Sequence, residues 1–250
     1  MANHVPELRR AERVHRDVVS FVRRSARMRP GQQLAWETYR DRFVLDVLRG
    51  DTSTSVHPNA TLDLPAAFGR DAPLVVEIGP GTGESLVPMA AARPEANVLA
   101  FEVYQPALAQ ILAALGRRGL DNVRLLEADA EAGVQQLLPD AGVAELWMFF
   151  PDPWQKAKHH KRRIVSREFA DVVATKLASG AVWRLATDWA DYADWMRVVL
   201  ESHPAFERIH PDEWAPRWSE RPVTRFEARG VRAGREIFDL GYRRQNRIDA

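Results

Sequence analysis

The sequence contains no cysteine. That excludes disulfides, thiolate-held zinc and a cysteine nucleophile. It agrees with a reducing compartment. No apolar run reaches the roughly 20 residues that span a bilayer. The N-terminus also lacks the apolar core of a secretion signal. The expected location is therefore the cytoplasm, with no membrane partner. Net charge is equally scarce, since 35 Lys and Arg face 34 Asp and Glu, giving +1. The seven histidines do not form a metal-ligand pattern. His159-His160 lies inside a basic run, which suits solvent or phosphate better than a metal, so no metal is expected.

What is present is that of an ordinary globular chain: 250 residues, 46% hydrophobic and 28% charged. This is enough for one domain with extensions. The near-neutral total hides an uneven distribution. Residues 1–30 hold eight arginines against Glu7, Glu12 and Asp17, or +5. Residues 217–247 hold nine arginines against Glu220, Glu227, Glu236 and Asp239, again +5. Between them, Lys156 to Arg163 holds five basic residues and no acid. Any one block reads equally well as a solvated face. Three on a nearly neutral chain point to a polyanion, and nucleic acid is the expected partner.

The arginine-rich start, ending at Pro30-Gly31, reads as an arm or a weak helix. Residues 33–48 read as a helix, with Leu34, Trp36, Phe43, Val44 and Val47 as core candidates. A turn-rich linker follows, from Gly50 to about Pro65. Strands and helices then alternate. Strands are expected at Leu74–Ile78, Asn97–Phe101, Val123–Leu126, Glu145–Phe150 and Ala181–Ala186. Helices are expected over 84–92, 105–118, 131–138, 166–178 and 190–201. Such alternation predicts an α/β fold with a doubly wound, mostly parallel sheet. The apolar run from Ile237 to Tyr242 predicts an antiparallel edge strand. The remaining tail past Pro204 is rich in Pro, Trp and Arg.

The first strand runs into Glu77-Ile78-Gly79-Pro80-Gly81-Thr82-Gly83. Glycines at a strand-to-helix turn let the backbone approach a ligand. The spacing is G-x-G-x-G, whereas dinucleotides favour G-x-G-x-x-G. A carboxylate at Glu77 opposes a pyrophosphate and suits a ligand with an ammonium and a sulfonium. S-adenosylmethionine has both, so it is the expected cofactor, and an NAD-dependent oxidoreductase is the disfavoured alternative. Glu102, after the second strand, is suited to accept from ribose hydroxyls, and Asp129, after the third, from an adenine amino group. Each acid has a plainer alternative as a cap of the following helix or turn. The series Glu77, Glu102, Asp129 resembles that of Rossmann-like, S-adenosylmethionine-dependent methyltransferases.

The fourth strand enters Phe150-Pro151-Asp152-Pro153-Trp154. Two prolines stiffen the turn around Asp152, and the basic segment Lys156–Arg163 follows at once. The run P-D-P-W with K-x-K-H-x-K-R-R closely resembles the bacterial tRNA (guanine-N7-)-methyltransferase family. Ser20-Phe21-Val22-Arg23-Arg24, Ala186-Thr187-Asp188-Trp189 and Arg221-Pro222-Val223-Thr224-Arg225-Phe226-Glu227 agree with it. So does Arg229-Gly230-Val231-Arg232. The resemblance spans residue 20 to the C-terminus.

The resemblance implies methyl transfer to guanine N7, at position 46 of the tRNA variable loop, without an obligate protein partner. It implies a basic arm over 1–31 and a methyltransferase domain over 32–250, with a cofactor half near 70–150 and an RNA-binding half near 151–250. Glu77, Glu102, Asp129 and Asp152 match cofactor-binding positions, together with the turn glycines Gly79, Gly81 and Gly83. Asp152 also matches the catalytic position. Lys156, Asp188, Thr224, Arg225, Phe226 and Glu227 match substrate-binding positions. Lys158, His159, His160, Lys161, Arg162 and Arg163 match the RNA-contacting segment. Pro80 and Arg225 depart from the family's usual residues, and an arginine differs from a lysine in geometry.

Guanine N7 is a lone pair with no proton to remove, so the chemistry needs placement and tolerance of positive charge more than a base. Asp152 is the expected source of that tolerance. Asp188 or Glu227 is suited to accept from guanine N1–H and the N2 amino group. The target base is expected outside its stack, with Trp154 either stacking on it or filling the core. Two other readings fit the residues: a methyltransferase with another nucleic-acid acceptor, and an inactive RNA-binding protein on the same fold.

Overall fold

The computed structural model describes residues 27–246. Most of the expected arm, including Ser20 to Arg24, lies outside the described residues. Its Pro30-Gly31 end does not close the arm but opens the first helix, α1, Pro30–Phe43. Proline suits a first helical position, because its missing N–H would have no partner there. The helix ends earlier than its periodicity suggested, since Val44 is already extended and bridges to Leu125. Leu34, expected in the core, is 65% exposed, whereas Phe43 and Val44 are buried.

The centre of the chain follows the predicted alternation. Five strands, β1 (Leu74–Ile78), β2 (Asn97–Phe101), β3 (Val123–Leu126), β4 (Val143–Phe149) and β5 (Leu177–Thr187), are parallel. Helices α3 (Leu86–Ala91), α4 (Gln105–Arg118), α5 (Ala130–Leu137), α6 (Arg167–Lys176) and α7 (Ala190–Glu201) connect or follow them. A short α2, Leu64–Phe68, interrupts the expected linker, capped by Asp63. Every residue of β1 and β2 is buried, as in a sheet covered on both faces. One core packs Val76, Ile78, Leu146 and Trp183 with Val134, Phe169 and Tyr192 of α5, α6 and α7. The other packs Val75, Val98 and Trp147 with Phe43, Leu86 and Ile111 of α1, α3 and α4.

The antiparallel strand expected at the edge, β7 (Phe238–Arg244), pairs with β5 with Leu185 opposite Leu240 but is not the edge itself. A short strand not anticipated from the sequence, β6 (Phe206–Arg208), pairs outside it. The order is β3-β2-β1-β4-β5-β7-β6. The direction of winding therefore reverses between β1 and β4. Open α/β sheets bind ligands at the carboxyl ends of the strands flanking that point.

The Pro-, Trp- and Arg-rich tail packs against one face of the sheet. Trp218 packs on Trp147 and Phe149 at ring distances of 5.7 and 6.3 Å. The Arg184 and Arg93 guanidinium groups lie 4.1 and 5.2 Å from the Trp218 ring, and both pair with Glu145. Beyond Trp218, residues Arg225–Arg232 form α8. Thr224 caps it, accepting from Glu227 N at 3.2 Å. Such a cap contributes about 1 kcal/mol.

Candidate active site

The ends of β1, β2, β3 and β4 surround a cleft of about 890 Å³. Gly79, Glu102, Val103 and Ala130 line it, together with Asp152 and Trp154. His160, Arg162, Ser166, Glu168 and Trp195 line it as well.

The glycine-rich turn is built as its residue types require. Gly79, Gly81 and Gly83 all have positive φ, a region that costs other residues roughly 1–2 kcal/mol. At Gly83 a Cβ would also lie 2.8 Å from Ile111 Cγ1. Glu102 shapes this turn directly. It accepts from Gly81 N at 3.0 Å and from Val103 N and Tyr104 N, both at 2.9 Å. Burial pushes its carboxyl up, these amides oppose the shift, and the Asp152 carboxylate adds to it.

Glu77 is 1% exposed. Its Oε1 accepts from Ser85 Oγ at 2.7 Å, and its Oε2 has no partner among the described residues. Burial drives its pKa up to about 8, the Ser85 hydroxyl opposes this, and Glu102 adds to it. A buried carboxylate without a counter-charge is costly and takes up a proton instead. A ligand cation beside the turn would satisfy it, so these residues fit the ammonium-bearing S-adenosylmethionine. Asp129 takes the plainer role: it caps α5, accepting from Glu131 N at 3.0 Å and Ala132 N at 3.3 Å. Its neighbours Ala128 and Ala130 line the cleft.

Asp152 is carried on a strained loop. Phe150 and Trp154 both have positive φ, 55° and 45°. Non-glycine residues in such conformations cost on the order of 1–3 kcal/mol each and persist only where their surroundings hold them. Phe150 N donates to Ala186 O at 2.7 Å. Trp154 is no core residue: it lines the cleft, with the Arg162 guanidinium 4.9 Å from its ring. The following segment, expected as a loop, forms a 3₁₀ turn over Ala157–Arg162.

The basic segment divides in two. Lys156, Lys158, Lys161 and Arg162 are exposed, and His159 and His160 are half-buried. Arg163 departs from the expected RNA-contacting role. Its side chain is 0% exposed and pairs with Asp191.

The C-terminal segment also departs from expectation. Glu227, expected to accept from the base, is held by Arg217 and Arg221, both at 2.6 Å. Burial raises its pKa, but the two arginines outweigh that and leave it below the usual range. Thr224 is buried as the cap. Arg225 Nε pairs with Glu84, and its Nη2 donates to Thr82 Oγ1 at 3.1 Å, so α8 is tied to the glycine-rich turn. Phe226 is 61% exposed. Asp188 sits beneath α8, with Oδ2 2.9 Å from Arg235 Nε. A Cβ on Gly230 would come 2.8 Å from that same oxygen. Arg221, assigned no role from the sequence, is fully buried between Glu227, Asp239 and the Phe150 ring. Nothing in a linear sequence separates a buried arginine from a solvated one. Among the described residues no group of three or more His, Asp or Glu could hold a metal, and no helix is long and apolar enough to cross a membrane.

Residues 71–240 match the family model described as putative methyltransferase. A tRNA (guanine-N(7)-)-methyltransferase of Cutibacterium acnes is 52% identical over 94% of this chain and 86% of its own. One from a Nocardioides species is 48% identical over 98% of both chains. Among solved structures, the 16S rRNA methyltransferase KamB superposes with a TM-score of 0.51 at 19% identity, over 80% of this chain and all of its own. That likeness speaks to the fold alone. The identities to the bacterial relatives, which run nearly end to end, show that this chain belongs to the tRNA (guanine-N(7)-)-methyltransferase family.

Proposed function

We propose that this protein methylates N7 of a guanine in tRNA, using S-adenosylmethionine, at position 46 of the variable loop, and that it works in the cytoplasm. One observation carries the reading. Asp152 shares a single cleft with Gly79 and Glu102, and the exposed Lys161 and Arg162 of the basic segment line the same cleft.

Glu77, Glu102, the three turn glycines and the α5 N-terminus around Asp129 would hold S-adenosylmethionine. When bound, it supplies an electrophilic methyl group on a sulfonium. Asp152 faces the position where the acceptor purine gains positive charge, and a fixed carboxylate there lowers that cost. No residue has to remove a proton from N7. Of the two carboxylates considered for reading guanine N1–H and N2, Asp188 is our choice, because one arginine holds it and two hold Glu227. Lys156, Phe226 and Arg225 lie outside the lining of the cleft and would meet the rest of the substrate, while Lys158, Lys161 and Arg162 would take phosphates.

The test is incubation with methyl-labelled S-adenosylmethionine and unmodified tRNA, followed by mass spectrometry of the nucleosides. Labelled 7-methylguanosine is expected. A different methylated nucleoside would overturn the substrate assignment. Binding to tRNA without any transfer would favour an inactive RNA-binding protein.

A further inference from the structure

The Phe150–Trp154 loop has positive φ at both ends, so something must hold it. Phe150 is held from one side by Arg221 and the Ala186 carbonyl. The Trp154 end needs its own anchor. Arg163 Nε donates to Pro153 O at 3.0 Å. Its Nη2 pairs with Asp191 and lies 3.1 Å from His160 Nε2. Its guanidinium stands 4.9 Å from the Tyr192 ring and 5.2 Å from the Trp195 ring. One planar cation thus joins the residue after Asp152 to the first turn and inner face of α7. Its side chain is fully covered, so it has no surface left for a phosphate.

We infer that Arg163 is a positioning residue: it fixes the Phe150–Trp154 loop against α7 and so sets where Asp152 points, while its neighbours Lys161 and Arg162 meet the RNA. The part that concerns Asp152 rests on the proposed function above. The loop carries the reacting geometry, and a misplacement of about 1 Å can slow an enzyme on the order of a hundredfold. A lysine at 163 has one ammonium and no planar fork, so it does not reproduce the fixed, two-sided hold on Pro153 and Asp191.

The test compares Arg163→Gln, Arg163→Lys and Arg162→Gln in the full-length protein. We expect both Arg163 variants to lose roughly ten- to a hundredfold in kcat. Their affinity for tRNA, its salt dependence and their affinity for S-adenosylmethionine should stay near those of the unaltered protein. Arg162→Gln should instead reduce the slope of log affinity against log salt by roughly one. An unchanged kcat in the Arg163 variants would overturn the inference. So would full rescue by lysine, or a salt slope that falls as it does for Arg162→Gln.

Should the Arg163 variants fail to fold, Asp191→Asn removes only the exposed partner of the pair. It should lower kcat severalfold with tRNA affinity retained, and an unchanged kcat would again refute the anchor. Asp152→Ala separates the two claims. Full turnover in that variant beside slow Arg163 variants would remove Asp152 from catalysis and leave the loop anchor standing. The reverse pattern would remove the anchor alone.

Discussion

Arg221 and Glu227 form a buried ion pair at 2.6 Å, directly beneath the loop that carries Asp152. Asp239 of β7 completes it at 3.0 Å, and Arg217 closes the other side of Glu227. The network therefore joins β7, the start of α8 and the end of β4. Removing one member leaves an uncompensated charge, which costs about 3–5 kcal/mol. Arg221→Leu should lower the denaturant midpoint accordingly, measured by fluorescence in urea. A change below about 1 kcal/mol would mean that the network is solvated and loose.

Glu77 predicts a pH dependence. Its folded pKa of about 8 exceeds the ordinary 4.5, so the empty protein binds this proton more tightly than the unfolded chain does. The associated stability is complete below 4.5 and disappears as pH rises to about 8. A bound cation reverses the preference by favouring the carboxylate. Affinity for S-adenosylmethionine should then rise from pH 6 to 8 and flatten above it, with proton release near neutrality. Calorimetry in buffers of different ionisation enthalpy measures that release. Glu77→Gln should bind weakly and without this pH dependence; a retained dependence would assign the proton to another group.

Two glycines predict opposite outcomes. Gly83→Ala meets Ile111 and forces an alanine into positive φ. Strain of about 1–2 kcal/mol is expected, with weaker cofactor binding. Gly31 lies in α1 with open space around it. There alanine should be neutral or stabilise by up to roughly 1 kcal/mol. Thermal melts of both variants, with and without S-adenosylmethionine, check the pair.

The exposed cations predict a salt effect. Replacing Lys158, Lys161 and Arg162 by glutamine, with Arg163 kept, should weaken tRNA binding and flatten its salt dependence by up to roughly three phosphate contacts. Fluorescence anisotropy across a salt series measures it. An unaltered slope would place the RNA on another face.

The alternation of the five parallel strands with their helices, the glycine-rich turn and the acids at the strand ends were all legible in the sequence. Each rests on a short-range rule: periodic burial, sharp turns or a residue placed by the strand before it. The substrate family was legible for a related reason, because P-D-P-W and its basic run are contiguous. What the side chains do there was decided by the fold. Arg162 and Arg163 are adjacent and chemically identical, yet one covers Trp154 at the surface and the other is buried against α7. Glu227 and Asp188 are equal candidates for reading the base in the sequence; Arg221, given no role of its own there, draws Glu227 into the interior. Helix α8 was missed because it is held by the buried Glu227 on Arg217 and Arg221 and by close packing of Gly230 on Asp188, not by an apolar stripe of its own. A charged side chain's role follows from which partners surround it. Those partners come from residues far apart in the chain, so tertiary packing alone determines which of the cations face RNA and which hold the site in shape.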